Sequence, residues 1–205
     1  MGTIARFDLA DLHRRFGVRH FVETGTGKGD SLAHAETQLL FRTLLSCEID
    51  MGMADNAMAR FENEPRVRIF NEKSLEFLDW VSCILPHDES ILFWLDAHFP
   101  GADQGFGGQA GFGDEKDESI RLPLENELKI IGWNRPNSRD VIICDDLRIY
   151  TDGPFQSGNV PADVRPFCPK ERNIDFVHRL MDATHDVQEL YEHEGYILIT
   201  PKESP

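Results

Sequence analysis

Residues 20–31 read H-F-V-E-T-G-T-G-K-G-D-S, and no other stretch of the chain limits its fold so strongly. An apolar strand runs directly into three alternating glycines and then into a helix start. Phe21 and Val22 favour extended backbone, while Gly25, Gly27 and Gly29 let the chain turn tightly and present its N–H groups to a ligand. Asp30 or Ser31 is placed to cap the helix that follows, in which Leu32, Ala35, Leu39 and Leu40 recur at helical spacing.

Spacing separates the ligands such a loop could take. A phosphate-binding P-loop needs Gly-Lys followed at once by Ser or Thr, whereas Lys28 is followed by Gly29, Asp30 and Ser31. The dinucleotide pattern G-x-G-x-x-G fits poorly, because Asp30 stands where a third small residue would pack helix on strand. The pattern acid-x-G-x-G-x-G is matched at every position by Glu23, Gly25, Gly27 and Gly29. At these residues the chain resembles the class I S-adenosylmethionine-dependent methyltransferases, whose first motif is an acid followed by those three glycines. The resemblance implies that Glu23, Thr24, Gly25, Gly27, Gly29 and Ser31 belong to the cofactor site, with the loop at the methionine end.

Along the chain, apolar positions alternate between helix and strand periods. Residues 7–16 form an amphipathic helix closed by Gly17, and residues 43–49 a second strand. Residues 51–61 are helical, 67–70 a short strand, and 74–85 a helix stopped by Pro86. Residues 91–95 form a continuous apolar run, as a strand buried on both faces does. A helix over 122–133, a strand over 141–144 and a helix over 174–184 follow, and strands over 187–192 and 196–200 close the chain as a hairpin. The predicted fold is therefore α/β: Rossmann-like, doubly wound, with a mostly parallel seven-stranded sheet ending in an antiparallel hairpin. The resembling family has this order of elements. At 205 residues and 40% hydrophobic content the chain holds one core and is short for two, so residues 1–205 are read as one domain. Residues 100–119 and 150–169 are long, glycine-containing or proline-rich loops expected to cover and select a substrate.

In an open parallel sheet the ligands lie beyond the carboxyl ends of the strands. Those ends are polar here: Glu23 and the glycines after strand one, Glu48 after strand two, Asp96-Ala97-His98 after strand four, and Asp145-Asp146 after strand five. Glu48, about 20 residues past the loop, can accept both hydroxyls of a ribose, with Asp50 as its alternative. Residues 71–74, including Ser74, would flank the adenine.

Asp96, Asp145 and Asp146 make a cluster that is expensive without a counter-charge. Two carboxylates about 4 Å apart repel by roughly 4 kcal/mol at an effective dielectric of 20, so three call for a cation or a shifted pKa. Oxygen donors without thiols point to Mg²⁺, or to Mn²⁺ in its place. The arrangement looks like that of metal-dependent O-methyltransferases such as catechol O-methyltransferase and the macrolide and aminocoumarin sugar O-methyltransferases. That likeness implies Asp96, Asp145 and Asp146 as metal ligands, and a sugar or other small polyol as substrate. His98 stands where some of the sugar enzymes carry an Asp proposed as base. With Asp96 it is the expected catalytic pair, imidazole being suited to proton abstraction near neutral pH.

The formal charge of −15 repels phosphate backbones and anionic membranes, so nucleic acid and membrane partners are not expected. Cys47, Cys83, Cys144 and Cys168 form no C-x-x-C pair and read as buried thiols of a reducing compartment. With no recognisable leader or membrane span, the expectation is a cytoplasmic protein. Two other functions fit the same loop: a non-catalytic S-adenosylmethionine-binding protein of this fold, and an NAD-dependent oxidoreductase.

Overall fold

The computed structural model describes residues 3–100, 115–136 and 138–202. Helix α1 (Leu9–Phe16) ends on Gly17, whose φ of 69° is the left-handed cap that glycine adopts without strain. The chain then alternates: β1 (Val18–Thr24), α2 (Asp30–Thr37), β2 (Thr43–Glu48), α3 (Met51–Arg60), β3 (Val67–Asn71), α4 (Ser74–Ile84) and β4 (Ser90–Leu95). A one-turn helix α5 (Glu118–Arg121) precedes α6 (Leu124–Asn134), β5 (Val141–Cys144), α7 (Asp175–Met181), β6 (His185–Leu190) and β7 (Tyr196–Pro201).

All seven strands form one sheet in the order β3-β2-β1-β4-β5-β7-β6. β1 runs parallel to β2 and β4, β3 parallel to β2, and β5 parallel to β4; β7 alone is antiparallel to both its neighbours, β5 and β6. The strands bury both faces because their side chains alternate between two cores. Val22, Phe93, Leu95 and Ile142 pack against Phe77, Leu78 and Val81 of α4, Leu128 and Ile131 of α6, and Val177 of α7. Phe21, Leu92, Trp94 and Ile143 pack on the other side against Leu9 and Phe16 of α1 and Leu32 and Ala35 of α2. Parallel pairing brings the carboxyl ends of β1, β2, β4 and β5 to one edge, with Thr24 level with Cys47 and Leu95, and Leu95 level with Cys144.

Several expected boundaries move. Gly29, not Asp30 or Ser31, is the N-cap of α2, and no side chain caps that helix. The helix stops at Thr37, since Leu39 takes a φ of 56° and stands 75% exposed instead of joining the apolar face. The helix expected over 174–184 is the shorter α7. The first hairpin strand starts two residues early because the His185 ring is buried and its Nε2 reaches the Asp140 carbonyl at 3.2 Å. Cys83 is exposed, while Cys47, Cys144 and Cys168 are buried as expected and all four thiols are free. Residues 150–169 are irregular but anchored: Phe155, Val160 and Cys168 enter the first core, and Arg172 donates to the carbonyls of Arg148, Ile149 and Thr151. Most of the other expected loop, residues 101–114, lies outside the described residues. Among the described residues no helix is long and apolar enough to cross a membrane.

Candidate active site

The glycine loop lies over the end of β2. The N–H groups of Gly25 and Thr26 both donate to the Cys47 carbonyl, at 2.9 and 3.0 Å, and Gly29 closes the turn onto the Thr26 carbonyl at 2.8 Å. Gly25 must be glycine twice over. Its φ is 80°, and a Cβ there would stand 2.6 Å from the backbone oxygen of Asp96. Below the loop a hydroxyl relay runs from Thr26 through Ser46 to Glu23, each step 2.6 Å. Glu23 is 1% exposed. Burial outweighs the Ser46 hydrogen bond and, with the charge of Glu48 adding to it, pushes the Glu23 carboxyl up to about 8.

Glu48 is held at both oxygens. Oε2 accepts from Gly27 N–H at 2.8 Å and Oε1 from Asp50 N–H at 2.9 Å, which fixes the carboxylate at the edge of the loop with lone pairs to spare. Asp50, the alternative ribose acceptor, instead caps α3 by accepting from Met53 N–H at 2.8 Å.

These residues wall a cavity of about 570 Å³, within the range of a small-molecule site. Its lining includes Glu23, Gly25, Gly27, Ser31, Glu48, Ser74, Asp96 and His98. Thr24 and Gly29 support it from outside: the Thr24 carbonyl accepts from Asp96 N–H at 3.1 Å, and Gly29 turns the backbone against Phe61. Among the described residues the cavity is acid-rich, with Glu23, Asp30, Glu48, Glu72, Glu76, Asp96 and Asp117 facing Lys28 and Lys73 as its lysines and arginines.

Asp145 and Asp146 stand apart from that lining. Asp145 borders a second, far smaller cavity with His98, Glu127 and Tyr150. His98 lies between the two acid positions, its Nε2 2.6 Å from Asp146 Oδ2 and its Nδ1 3.6 Å from Asp96 Oδ1. Asp146 takes a left-handed φ of 53°, and its N–H donates to Asp145 Oδ1 at 2.8 Å. Burial and the charge of Asp146 push Asp145 up to about 8. Burial acts on Asp146 in the same direction, but His98 and Arg148 outweigh it and leave Asp146 below the usual carboxylate range. One member of the pair is thus neutral and the other ionised.

The expected metal triad therefore takes a different form. Among the described residues no three His, Cys, Asp or Glu side chains are arranged to hold a metal ion. Asp145 is turned back onto the Asp146 backbone and Asp146 is engaged by imidazole, so the three aspartates as they stand do not fit Mg²⁺.

Glu127 of α6 is the residue that sequence reading missed. It is 1% exposed, and its Oε1 has no hydrogen-bond partner among the described residues. Burial, against the nearby Ser74 and Thr24 hydroxyls, pushes its carboxyl up to about 7. The signal was present in the helix period: Glu127 falls on the same stripe as Leu124, Leu128 and Ile131, where a carboxylate is out of place.

No protein-family model and no curated protein matches the sequence. Solved structures do match. The "putative caffeoyl-CoA O-methyltransferase" of Staphylococcus aureus superposes with a TM-score of 0.64 at 17% identity, over 98% of this chain and 85% of that one. The O-methyltransferase of Bacillus cereus in complex with S-adenosylhomocysteine gives 0.56 at 16% identity, over 95% and 79%. An S-adenosylmethionine-dependent methyltransferase of Aquifex aeolicus gives 0.51 at 13% identity, over 95% and 89%. The chain has the Rossmann-like fold of the class I methyltransferases. Likeness at such identities concerns the fold alone, so the chemistry has to be argued from the site.

Proposed function

We propose that the chain is an S-adenosylmethionine-dependent O-methyltransferase acting on a hydroxyl of a sugar or other small polyhydroxylated molecule. One observation carries the reading: the cavity that joins the glycine loop and Glu48 also reaches His98, whose other side is held by an ionised aspartate. Ligand-binding and proton-accepting groups thus meet in one cavity.

The lining favours this cofactor over a dinucleotide. With Glu23 protonated near neutral pH, the other six acids of the lining against two lysines would repel a pyrophosphate, whereas they suit a ligand carrying a sulfonium and an ammonium. Glu48, fixed by two backbone N–H groups, accepts the ribose hydroxyls, and Ile49, Met53 and Leu75 supply apolar surface for a purine. When bound, S-adenosylmethionine supplies an electrophilic methyl group on sulfur.

The chain's own residues then have distinct tasks. The Nε2–H of His98 donates to Asp146, which fixes the ring and favours the imidazolium once formed. Nδ1 lies on the side of Asp96, which lines the cavity, and takes the proton of the acceptor hydroxyl as its oxygen bonds to the methyl carbon. The reaction ends with a methyl ether, a neutral thioether and a protonated His98. No step is assigned to Mg²⁺, because the aspartates expected to bind it are engaged with His98 and with one another. Residues 150–169, anchored beside this edge, cover the acceptor.

Calorimetric titration with S-adenosylhomocysteine, followed by methyl-transfer assays on polyols such as rhamnose with and without EDTA, tests the reading. Micromolar binding and EDTA-insensitive transfer are expected. Transfer abolished by EDTA and restored by Mg²⁺ would return Asp96, Asp145 and Asp146 to the role of metal ligands. Binding without transfer to any polyol would mark a non-catalytic binding protein, and NADH binding in place of S-adenosylhomocysteine would overturn the cofactor assignment.

A further inference from the structure

Glu127 is a buried acid that the scheme above leaves without a task. It shares the buried face of α6 with Leu124, Leu128 and Ile131, and its Oε1 accepts no hydrogen bond among the described residues. Taking a carboxyl out of water and leaving an oxygen unpaired is costly, whereas an apolar side chain of the same shape at that position carries no such penalty. An orphaned buried oxygen therefore calls for a partner, and the space next to Glu127 shows which partner fits.

The second cavity measures about 10 Å³, and its lining includes Glu127, Asp145, His98 and Tyr150. That is room for one water and for no larger ligand. One buried water needs two to four polar partners, and two acids, a histidine and a tyrosine around a single water-sized space can supply them; truly dry cavities are apolar. His98 and Ala97 line the main cavity as well, so the two spaces meet at the residue proposed as base. Glu127 is absent from the main lining among the described residues, and any influence it has on the reaction passes through His98.

We propose that the small cavity holds one ordered water, bound by Glu127, through which Glu127 positions the His98 ring for proton transfer. This rests on the methyltransferase reading above and adds a residue to its base. Asp146 holds the ring at Nε2, and the water steadies it from the direction of α6. Glu127 is a positioning residue in this scheme, while His98 keeps the proton transfer.

The test combines a high-resolution crystal structure with NMR of the histidine ring nitrogens, the His98 signals being assigned by their loss in His98→Gln. Wild type should show one water within hydrogen-bonding distance of both Glu127 and His98. Glu127→Met keeps the length of the side chain but not its oxygens. It should lose the water, move the His98 ring signals while those of the other histidines stay, and slow single-turnover methyl transfer by about tenfold or more. Its urea midpoint should be unchanged or raised, since an unpaired buried carboxyl has been replaced by an apolar group, and S-adenosylhomocysteine affinity should stay within about threefold. Glu127→Gln, which can still bind the water, should keep the ring signals in place and the rate within about threefold of wild type. No water in the cavity, unmoved His98 signals in Glu127→Met, a rate loss that comes with a lowered midpoint, or a Glu127→Gln as slow as Glu127→Met overturns the proposal. If Glu127→Met does not fold, the wild-type structure and the ring signals of Glu127→Gln still decide. Failure to bind S-adenosylhomocysteine would instead sink the underlying methyltransferase reading, and is read separately from the water and the ring signals, which need no cofactor.

Discussion

His98 Nε2 lies 2.6 Å from Asp146 Oδ2, and that contact decides how the acid cluster is read. Three aspartates after adjacent strands suggest a cation between them, and the imidazole of His98 occupies that position from within the chain. A base oriented by a buried acid contributes about 10²–10⁴ in rate. His98→Gln is therefore expected to lower single-turnover methyl transfer by about that factor while S-adenosylhomocysteine affinity changes less than about threefold. Asp146→Asn, which keeps the shape but not the charge, should lie between the two. Full activity in His98→Gln would remove the base from this position.

Gly25 gives a sharper test of the loop. Its neighbour Gly27 also has a positive φ, 54°, but a Cβ there would meet nothing within 4 Å, whereas at Gly25 it would strike the Asp96 carbonyl. Left-handed backbone at a non-glycine residue costs on the order of 1–3 kcal/mol, and only Gly25→Ala adds a clash with rigid backbone. Gly25→Ala should weaken S-adenosylhomocysteine binding by tenfold or more, and clearly more than Gly27→Ala, in parallel titrations. Equal losses would mean that the close approach of β1 to β4 does not shape the cavity.

Much of this site was readable in the sequence because it follows from strand ends. Glu23, Glu48, Asp96 and Asp145 come to one edge once five strands are taken as parallel, and the glycines require their loop. What could not be read was how side chains divide among partners. The spacing D-A-H allows His98 to point anywhere, and only the left-handed turn at Asp146 brings the two together. Leu39 kept the helical spacing yet lies beyond the helix end, since spacing carries no record of where a chain turns.

At the opposite edge of the sheet Arg135 and Asp140 form a fully buried pair, with side chains 0% and 1% exposed and Nε 2.6 Å from Oδ2. Asp140 also accepts from Ile91 N–H at 2.8 Å, and Arg135 donates to the carbonyls of Leu85 and Glu89. The pair thereby joins the starts of β4 and β5 to the end of α6. Removing one partner leaves an uncompensated buried charge, so Arg135→Met should destabilise the fold by about 3–5 kcal/mol in urea unfolding. S-adenosylhomocysteine affinity, measured well below the transition, should be unaffected. A loss under about 1 kcal/mol would mean that water reaches Asp140.

The last prediction concerns Glu23, whose carboxyl is raised from an ordinary value of 4.5 to about 8. Between those values the unfolded chain has released this proton while the folded chain keeps it, so the folded state binds more protons and this group lowers stability as pH rises. The loss begins near pH 4.5, grows up to about pH 8, and levels off once the folded carboxyl also ionises. Glu23→Gln cannot ionise but retains an oxygen to accept from Ser46, so it should lack this component. The measurement is the difference in unfolding free energy between wild type and Glu23→Gln across pH 5 to 9, in which titrations common to both cancel. Wild type should be progressively disfavoured relative to the variant up to pH 8. A difference that does not change with pH would mean that Glu23 is already ionised in the folded protein, held by a cation or water that its surroundings admit.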